Sequence, residues 1–199
     1  MIGIVDYGAG NLLSVYRAFD FLGIRCQIIR DKADFRNVRK LVLPGVGAFE
    51  AAIENMKSKA FFAIINDWLQ SHKPFLGICL GMQVLFEESE ESKEVHGFST
   101  FQGKVVQFTK HKVPQIGWNQ VHIERRSKLL KGIRDHSFFY FLHGYYVQSC
   151  PEDIIVGTTH HGVIYPSIIG KDNLYAVQFH PEKSGTIGLK LLKNWMSLC

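Results

Sequence analysis

Three short segments carry residue types suited to acyl transfer. The first is Gly77-Ile78-Cys79-Leu80-Gly81, a cysteine with a glycine two residues away on each side. It follows the apolar run Phe75–Ile78, read as a strand, and precedes Gly81–Phe86, read as the beginning of a helix. A sharp strand-to-helix turn strains the backbone of its central residue and leaves no room for side chains at the flanking positions, hence glycine. The turn lifts the sulfur above the sheet edge to a helix N-terminus. There the dipole and a nearby imidazole favour the thiolate, which is the reactive form. A buried structural cysteine beside packing glycines is the competing reading, and the strand-before, helix-after context weighs against it.

The second segment, Gln178-Phe179-His180-Pro181-Glu182, follows the last apolar strand. A cysteine nucleophile needs a base, and the base needs an orienting carboxylate. His180 and Glu182 offer both at the carboxyl end of one strand, where open α/β sheets build their sites. The chain order of nucleophile, histidine and acid differs from the α/β-hydrolase order. Taken alone, the segment reads equally well as a surface turn. The third segment, Pro44-Gly45-Val46-Gly47, ends another strand. Acyl transfer needs backbone N–H groups aimed at the developing oxyanion, and Val46 and Leu80 are the expected donors. An ordinary turn is the alternative there.

These segments need a scaffold, and hydrophobic periodicity supplies one. Ile2–Val5, Cys26–Ile29, Lys40–Leu43 and Phe75–Ile78 read as strands. Between them, Leu12, Val15, Tyr16, Phe19 and Leu22 recur at helical spacing after Asn11, which stands as a candidate N-cap, and Gly23 is a stop. Further helices are expected from near Ala48 and over Phe61–Gln70. Alternating strands and helices predict a parallel sheet covered on both faces. The second half reads as strands at Lys104–Phe108, Trp118–Ile123, Phe138–His143, Ile154–Thr159 and Tyr175–Phe179, closed by a helix over Gly185–Met196. This pattern predicts antiparallel hairpins added to the parallel core.

Bulk properties narrow the class. At 199 residues, with 46% hydrophobic and 21% charged residues, the chain fits one globular domain spanning 1–199. No apolar run reaches membrane-span length, so no membrane association is expected. No secretory signal opens the chain. The four cysteines, Cys26, Cys79, Cys150 and Cys199, match no metal-ligand spacing and suit a reducing cytoplasm. The net charge of +5 is scattered apart from short clusters at Arg36–Lys40 and Lys110–Lys112, and no nucleic-acid motif accompanies it. His160-His161 does not argue for a metal, because adjacent residues of a strand point to opposite faces. The acidic run Glu87–Glu94 reads by composition as a solvated loop.

Taken together, these segments resemble the class I (triad) glutamine amidotransferases, and within them the branch of glutaminase subunits of imidazole glycerol phosphate synthase. Asp6–Leu12, Pro44–Gly47, Gly77–Ser89, Gly117-Trp118-Asn119, Tyr140–His143 and Gln178–Ser184 carry the likeness from the first residues to the closing helix. The resemblance implies a flavodoxin-like class I amidotransferase fold. It implies a Cys79–His180–Glu182 triad that hydrolyses glutamine to glutamate and ammonia. Gly45, Gly47, Gln83 and Glu91 match glutamine-holding positions, with Glu91 neutralising the substrate's α-amino group. His143, Gly144 and Tyr145 match the segment lining the same pocket, with Gly144 where the family usually has a hydroxyl residue. Trp118, Asn119 and Lys183 match interface positions toward a (β/α)8-barrel cyclase subunit. That subunit uses the ammonia to make imidazole glycerol phosphate and an aminoimidazole carboxamide ribotide in histidine biosynthesis. No cofactor and no metal is implied. Beside this stand a duplicated copy feeding another synthase, such as one amidating a surface-polysaccharide sugar, and a non-catalytic subunit of the same fold.

Overall fold

The structure is a computed structural model describing residues 1–8, 10–92, 94–109 and 112–199. Ala9 of the first turn, Lys93 of the acidic run, and Lys110 and His111 of the second basic cluster lie outside the described residues.

The first half follows the expected alternation. Strands β1 (Ile2–Val5), β2 (Cys26–Ile29), β3 (Lys40–Gly45) and β4 (Phe75–Cys79) are separated by helices α1 (Leu12–Phe21), α2 (Phe49–Ser58) and α3 (Phe61–Gln70). A single helical turn, α4 (Leu80–Gln83), follows β4. The second half holds β5 (Phe86–Ser89), β6 (Phe101–Gln107), β7 (Gln115–Ile123), β8 (Ser137–His143), β9 (Tyr145–Ser149), β10 (Ile155–His160), β11 (Ile164–Lys171), β12 (Leu174–Val177) and α5 (Gly185–Leu198).

Among the described residues, nine strands form one sheet in the order β2-β1-β3-β4-β12-β11-β10-β7-β8. The pairings from β2 through β12 are parallel. Those from β12 to β8 are antiparallel. The parallel core and its antiparallel extension therefore share one sheet, joined at β12. A second sheet, β5-β6-β9, packs beside it.

Side-chain periodicity decides which helix covers which face. On β3, Leu41 and Leu43 join one core cluster and Val42 the other, as period 2 requires. The helices α2 and α3 bury Phe49, Ile53, Met56, Phe61, Ile65 and Trp68 in the first cluster. The helices α1 and α5 bury Val15, Phe19, Leu191, Leu192 and Trp195 in the second. Burying each such side chain contributes roughly 1.5–3 kcal/mol, so both faces of the parallel core are held by helices of matching stripe.

Three sequence expectations change. Asn11 occupies the position before α1 but makes no capping hydrogen bond, because its side-chain amide is engaged by Glu182 and His180. The helix expected from Gly81 through Phe86 stops at Gln83. Leu85 instead accepts from the Thr100 and Phe101 N–H groups, and Phe86 is buried at the head of β5. Lys104–Phe108 joins the second sheet rather than a hairpin on the main one. The strands β5, β9 and β11 carried no sequence expectation. In β11, Pro166 interrupts a run that is nonetheless buried from Tyr165 to Gly170.

Candidate active site

The carboxyl ends of β1, β3, β4 and β12 meet at one place, and the three chemical segments lie there. At the end of β4 the backbone of Cys79 adopts φ 55°, ψ −109°, in the positive-φ half of the map that non-glycine residues avoid. The flanking glycines explain why the strain is kept. A Cβ at Gly81 would collide with the Leu43 carbonyl oxygen, and one at Gly77 with the Gly81 carbonyl oxygen. Packing of β3, β4 and α4 thus over-determines the turn, as strained functional positions require.

His180 and Glu182 follow β12 and are buried. Glu182 Oε1 lies 2.8 Å from His180 Nδ1, which orients the ring. His180 Nε2 is buried and makes no hydrogen bond of good geometry, although Cys79 lies close enough to act on the ring. Burial pulls the imidazole pKa down. Cys79 and Glu182 on either side outweigh burial and push it up to about 10. The surroundings of the ring therefore favour its protonated form. The helix dipole adds little at Cys79, because α4 is one turn long.

Cys79 opens onto a cavity of about 330 Å³ lined by Val46, Gly47, Leu80, Gln83, Glu91, Pro114, Leu142, His143, Gly144 and Tyr145. Gly45 lies just behind it, buried under the Tyr7 hydroxyl and Leu80 Cβ. A larger hollow of about 500 Å³ lies against Arg125, Arg126, Ser127, Lys128 and Lys171, away from the strained cysteine. Within the catalytic cavity, Gln83 Nε2 donates to the Tyr145 carbonyl at 2.9 Å and to Gln178 Oε1 at 3.1 Å. Glu91 is no free loop carboxylate: its Oε2 accepts from the Phe49 N–H at 2.6 Å, at the start of α2. A Cβ at Gly144 would meet only Val113 and Pro114, at 3.7 and 4.0 Å, so a hydroxyl residue would fit.

His143 closes the cavity wall as a neutral ring. Its Nδ1 donates to the Tyr145 carbonyl at 2.7 Å, which fixes the tautomer, and Nε2 lies 3.3 Å from the Tyr165 hydroxyl. Burial, partly offset by that Nδ1 bond, lowers its pKa to about 3. The linkage has a definite sign. Between about pH 6.5 and 3 the unfolded chain takes up a proton that the folded ring refuses, so stability falls on acidification through that window. His180 adds no slope there: its stabilisation is complete below about pH 6.5 and is lost only as pH rises toward 10. We expect His143→Gln to reduce the pH 6.5-to-4.5 loss of urea-unfolding free energy by up to about 1.4 kcal/mol per pH unit. An unchanged slope in the variant would rule this out.

Two residues at the site were given no part in its chemistry by the sequence, Asn11 having been read only as an N-cap. Asn11 Nδ2 donates to Glu182 Oε1 and lies 3.4 Å from His180 Nδ1. Gln178 is fully buried and points Nε2 at Cys79 Sγ, 3.6 Å away. Both stand inside the segments singled out above, and their contacts depend on side chains far apart in sequence.

The three expected interface residues are not in the cavity. Trp118 is 55% exposed on β7, so it is not a core aromatic. Lys183 Nζ lies 6.0 Å from the centre of the Tyr140 ring, and that ring lies 6.1 Å from Trp118. Asn119 Nδ2 donates to the His160 carbonyl at 2.9 Å. The β7–β8 register pairs Ile116 with Leu142 and Trp118 with Tyr140, so these four share one face. Ile116 is 60% exposed.

Known proteins resemble this chain in sequence and in fold. The family model for class-I glutamine amidotransferases matches residues 3–198. The imidazole glycerol phosphate synthase subunit HisH of Desulfitobacterium hafniense is 46% identical over 98% of this chain and 93% of its own length. The subunit of the same name from Methanocaldococcus jannaschii is 45% identical, with both chains covered completely. A crystal structure of a glutamine amidotransferase superposes with a TM-score of 0.79 at 16% identity, covering 99% of this chain and 97% of the other, which establishes likeness of fold. No helix among the described residues is long and apolar enough to cross a membrane. The chain belongs to the class-I glutamine amidotransferase family and, within it, to the group of HisH subunits.

Proposed function

We propose that the chain hydrolyses glutamine at Cys79 and hands the ammonia to a (β/α)8-barrel cyclase subunit of imidazole glycerol phosphate synthase. One observation carries the reading. The cavity at the strained cysteine is lined by the oxyanion candidates Val46 and Leu80 and by Gly47, Gln83, Glu91, His143, Gly144 and Tyr145. Its volume suits an amino acid rather than a polymer.

In this reading Cys79 Sγ attacks the side-chain carboxamide carbon of glutamine. The Val46 and Leu80 N–H groups receive the oxyanion. His180, steered by Glu182 and Asn11, gives its proton to the leaving nitrogen, and ammonia departs from a thioester. The same ring then takes a proton from water, which cleaves the thioester to glutamate and restores the thiolate. Glu91 holds the substrate ammonium while keeping one oxygen on the Phe49 N–H. The glycines on both sides of Val46 make a peptide flip cheap, so the oxyanion loop is a device for switching activity with partner state.

Leu142 supports the partner assignment. It lines the cavity, and its carbonyl lies 3.8 Å from Cys79 Sγ. Its face continues through Ile116, Tyr140 and Trp118 to the surface, where Lys183 lies over Tyr140. Aromatic side chains such as Trp118 and Tyr140 are of the types that dominate binding energy once a partner covers them. We also keep a cytoplasmic assignment: all four cysteines are free thiols, which a reducing compartment preserves.

The test is a glutaminase assay with and without the barrel subunit and its ligand. Glutamate release is expected to rise when both are present. Trp118→Asp is expected to weaken subunit association by about 100-fold, since interface anchors of this type contribute roughly 2–4 kcal/mol. Equal affinity of the variant, measured by calorimetry, would overturn the docking face. Failure to complement a histidine auxotroph with its own barrel partner supplied would redirect the ammonia to another synthase.

A further inference from the structure

Three side chains remote from the catalytic cavity converge where β7 ends and β8 begins. His122 Nδ1 lies 3.0 Å from Asp135 Oδ2, and His136 Nε2 lies 3.5 Å from the same oxygen. All three atoms fall within 4.8 Å of one another. Their spacing in sequence conceals the group. His122 stands on β7 and the other two in the turn before β8, and they meet because the hairpin register pairs Val121 with Ser137.

The two separations from Asp135 suit neighbouring ligands around one tetrahedral ion. Zinc binds imidazole nitrogen at about 2.0–2.1 Å and carboxylate oxygen at about 2.0–2.2 Å, so adjacent donors in its shell stand about 3.3 Å apart. The two distances to Asp135 Oδ2 bracket that value. Two imidazoles and a carboxylate form a donor set for a borderline divalent ion.

The group is also held in place before any ion arrives. Asp135 Oδ1 accepts from the Ile123 N–H at 2.7 Å and the His136 N–H at 2.9 Å, leaving Oδ2 for a ligand. The two imidazole rings stack with centroids 5.1 Å apart. The side chains are half exposed, at 50%, 42% and 59% for His122, Asp135 and His136, so an ion has access and water can fill the remaining position.

We propose that His122, Asp135 and His136 form a zinc-binding site that ties the end of β7 to the turn before β8. Imidazole binds a metal ion only through a neutral nitrogen, so affinity falls on acidification, as for metal sites in general. The opposite end of β7 begins beside Pro114 in the catalytic cavity, so the site stapled here lies at the far end of the strand.

Calorimetric titration of the full chain with zinc at pH 7.5 tests the proposal. One zinc per chain is expected with Kd below about 100 µM, weakened at least tenfold in both His122→Ala and His136→Ala. His72→Ala, which removes an exposed imidazole 3.8 Å from Asp172, should leave affinity unchanged. Cobalt in the unaltered chain should show d–d absorption without a sulfur charge-transfer band. That second measurement needs no variant and separates this site from the four thiols. Weaker binding, binding unchanged in either histidine variant, or a sulfur band would each overturn the site.

Discussion

Cys79→Ala is expected to lower glutamine hydrolysis by at least about 10⁴-fold, the range seen when an acyl-transfer nucleophile is removed. Synthesis from free ammonia by the assembled enzyme should continue, because the barrel subunit needs only the nitrogen. The reason is the placement of the thiol. Cys79 stands on the strained turn that faces the cavity, near an imidazole whose surroundings favour its protonated form. The other thiols offer no substitute: burial, then nearby carboxylates, push Cys26 and Cys150 each up to about 11, so both stay protonated. Steady-state assays of glutamate release and of ammonia-dependent synthesis check this together. Loss of both activities with an intact complex would count against the assignment.

Gly81→Ala should destabilise the fold by about 3 kcal/mol or more, since overpacking a rigid site lies at the upper end of the usual range. The added methyl would land on the Leu43 carbonyl oxygen, a backbone atom inside the sheet that cannot rotate aside. Gly144→Ala is the matched control, because its methyl meets only ordinary contacts. Thermal unfolding should show a Tm drop of about 6–12 °C for Gly81→Ala and almost none for the control. Equal Tm values would show that β3 and α4 can separate, and the strained-turn account would fail.

Much of this was readable from residue patterns, for physical reasons that differ by segment. The parallel core announced itself because its inner strands are buried on both faces and are therefore short apolar runs, as in Ile2–Val5 and Phe75–Cys79. The helices α2 and α3 bury residues at helical spacing, so the start of α2 and both bounds of α3 followed closely. Local pattern failed where long-range pairing decides. Leu85 and Phe86 look helical in their own neighbourhood, yet Phe101 and Thr100 capture them for the second sheet. Pro166 hides β11, which is held by β10 and β12 on either side. The triad segments were visible as motifs. Asn11 and Gln178 were not assignable, because a carboxamide reveals its role only through its partner, here Glu182 and Cys79.

The join at β12 has a consequence for synthesis on the ribosome. This strand sits between β4 and β11, so the central sheet cannot close until nearly the whole chain has emerged. Asn11 must then find Glu182 across a separation of 171 residues. Contacts so distant in sequence form late, after the loop-closure entropy between them has been met. An unfinished chain thus carries Cys79 without His180, Glu182 or its completed sheet. Under the proposed mechanism, glutamine hydrolysis waits for a finished molecule, and ammonia is not released by chains that have no folded surface to offer a partner.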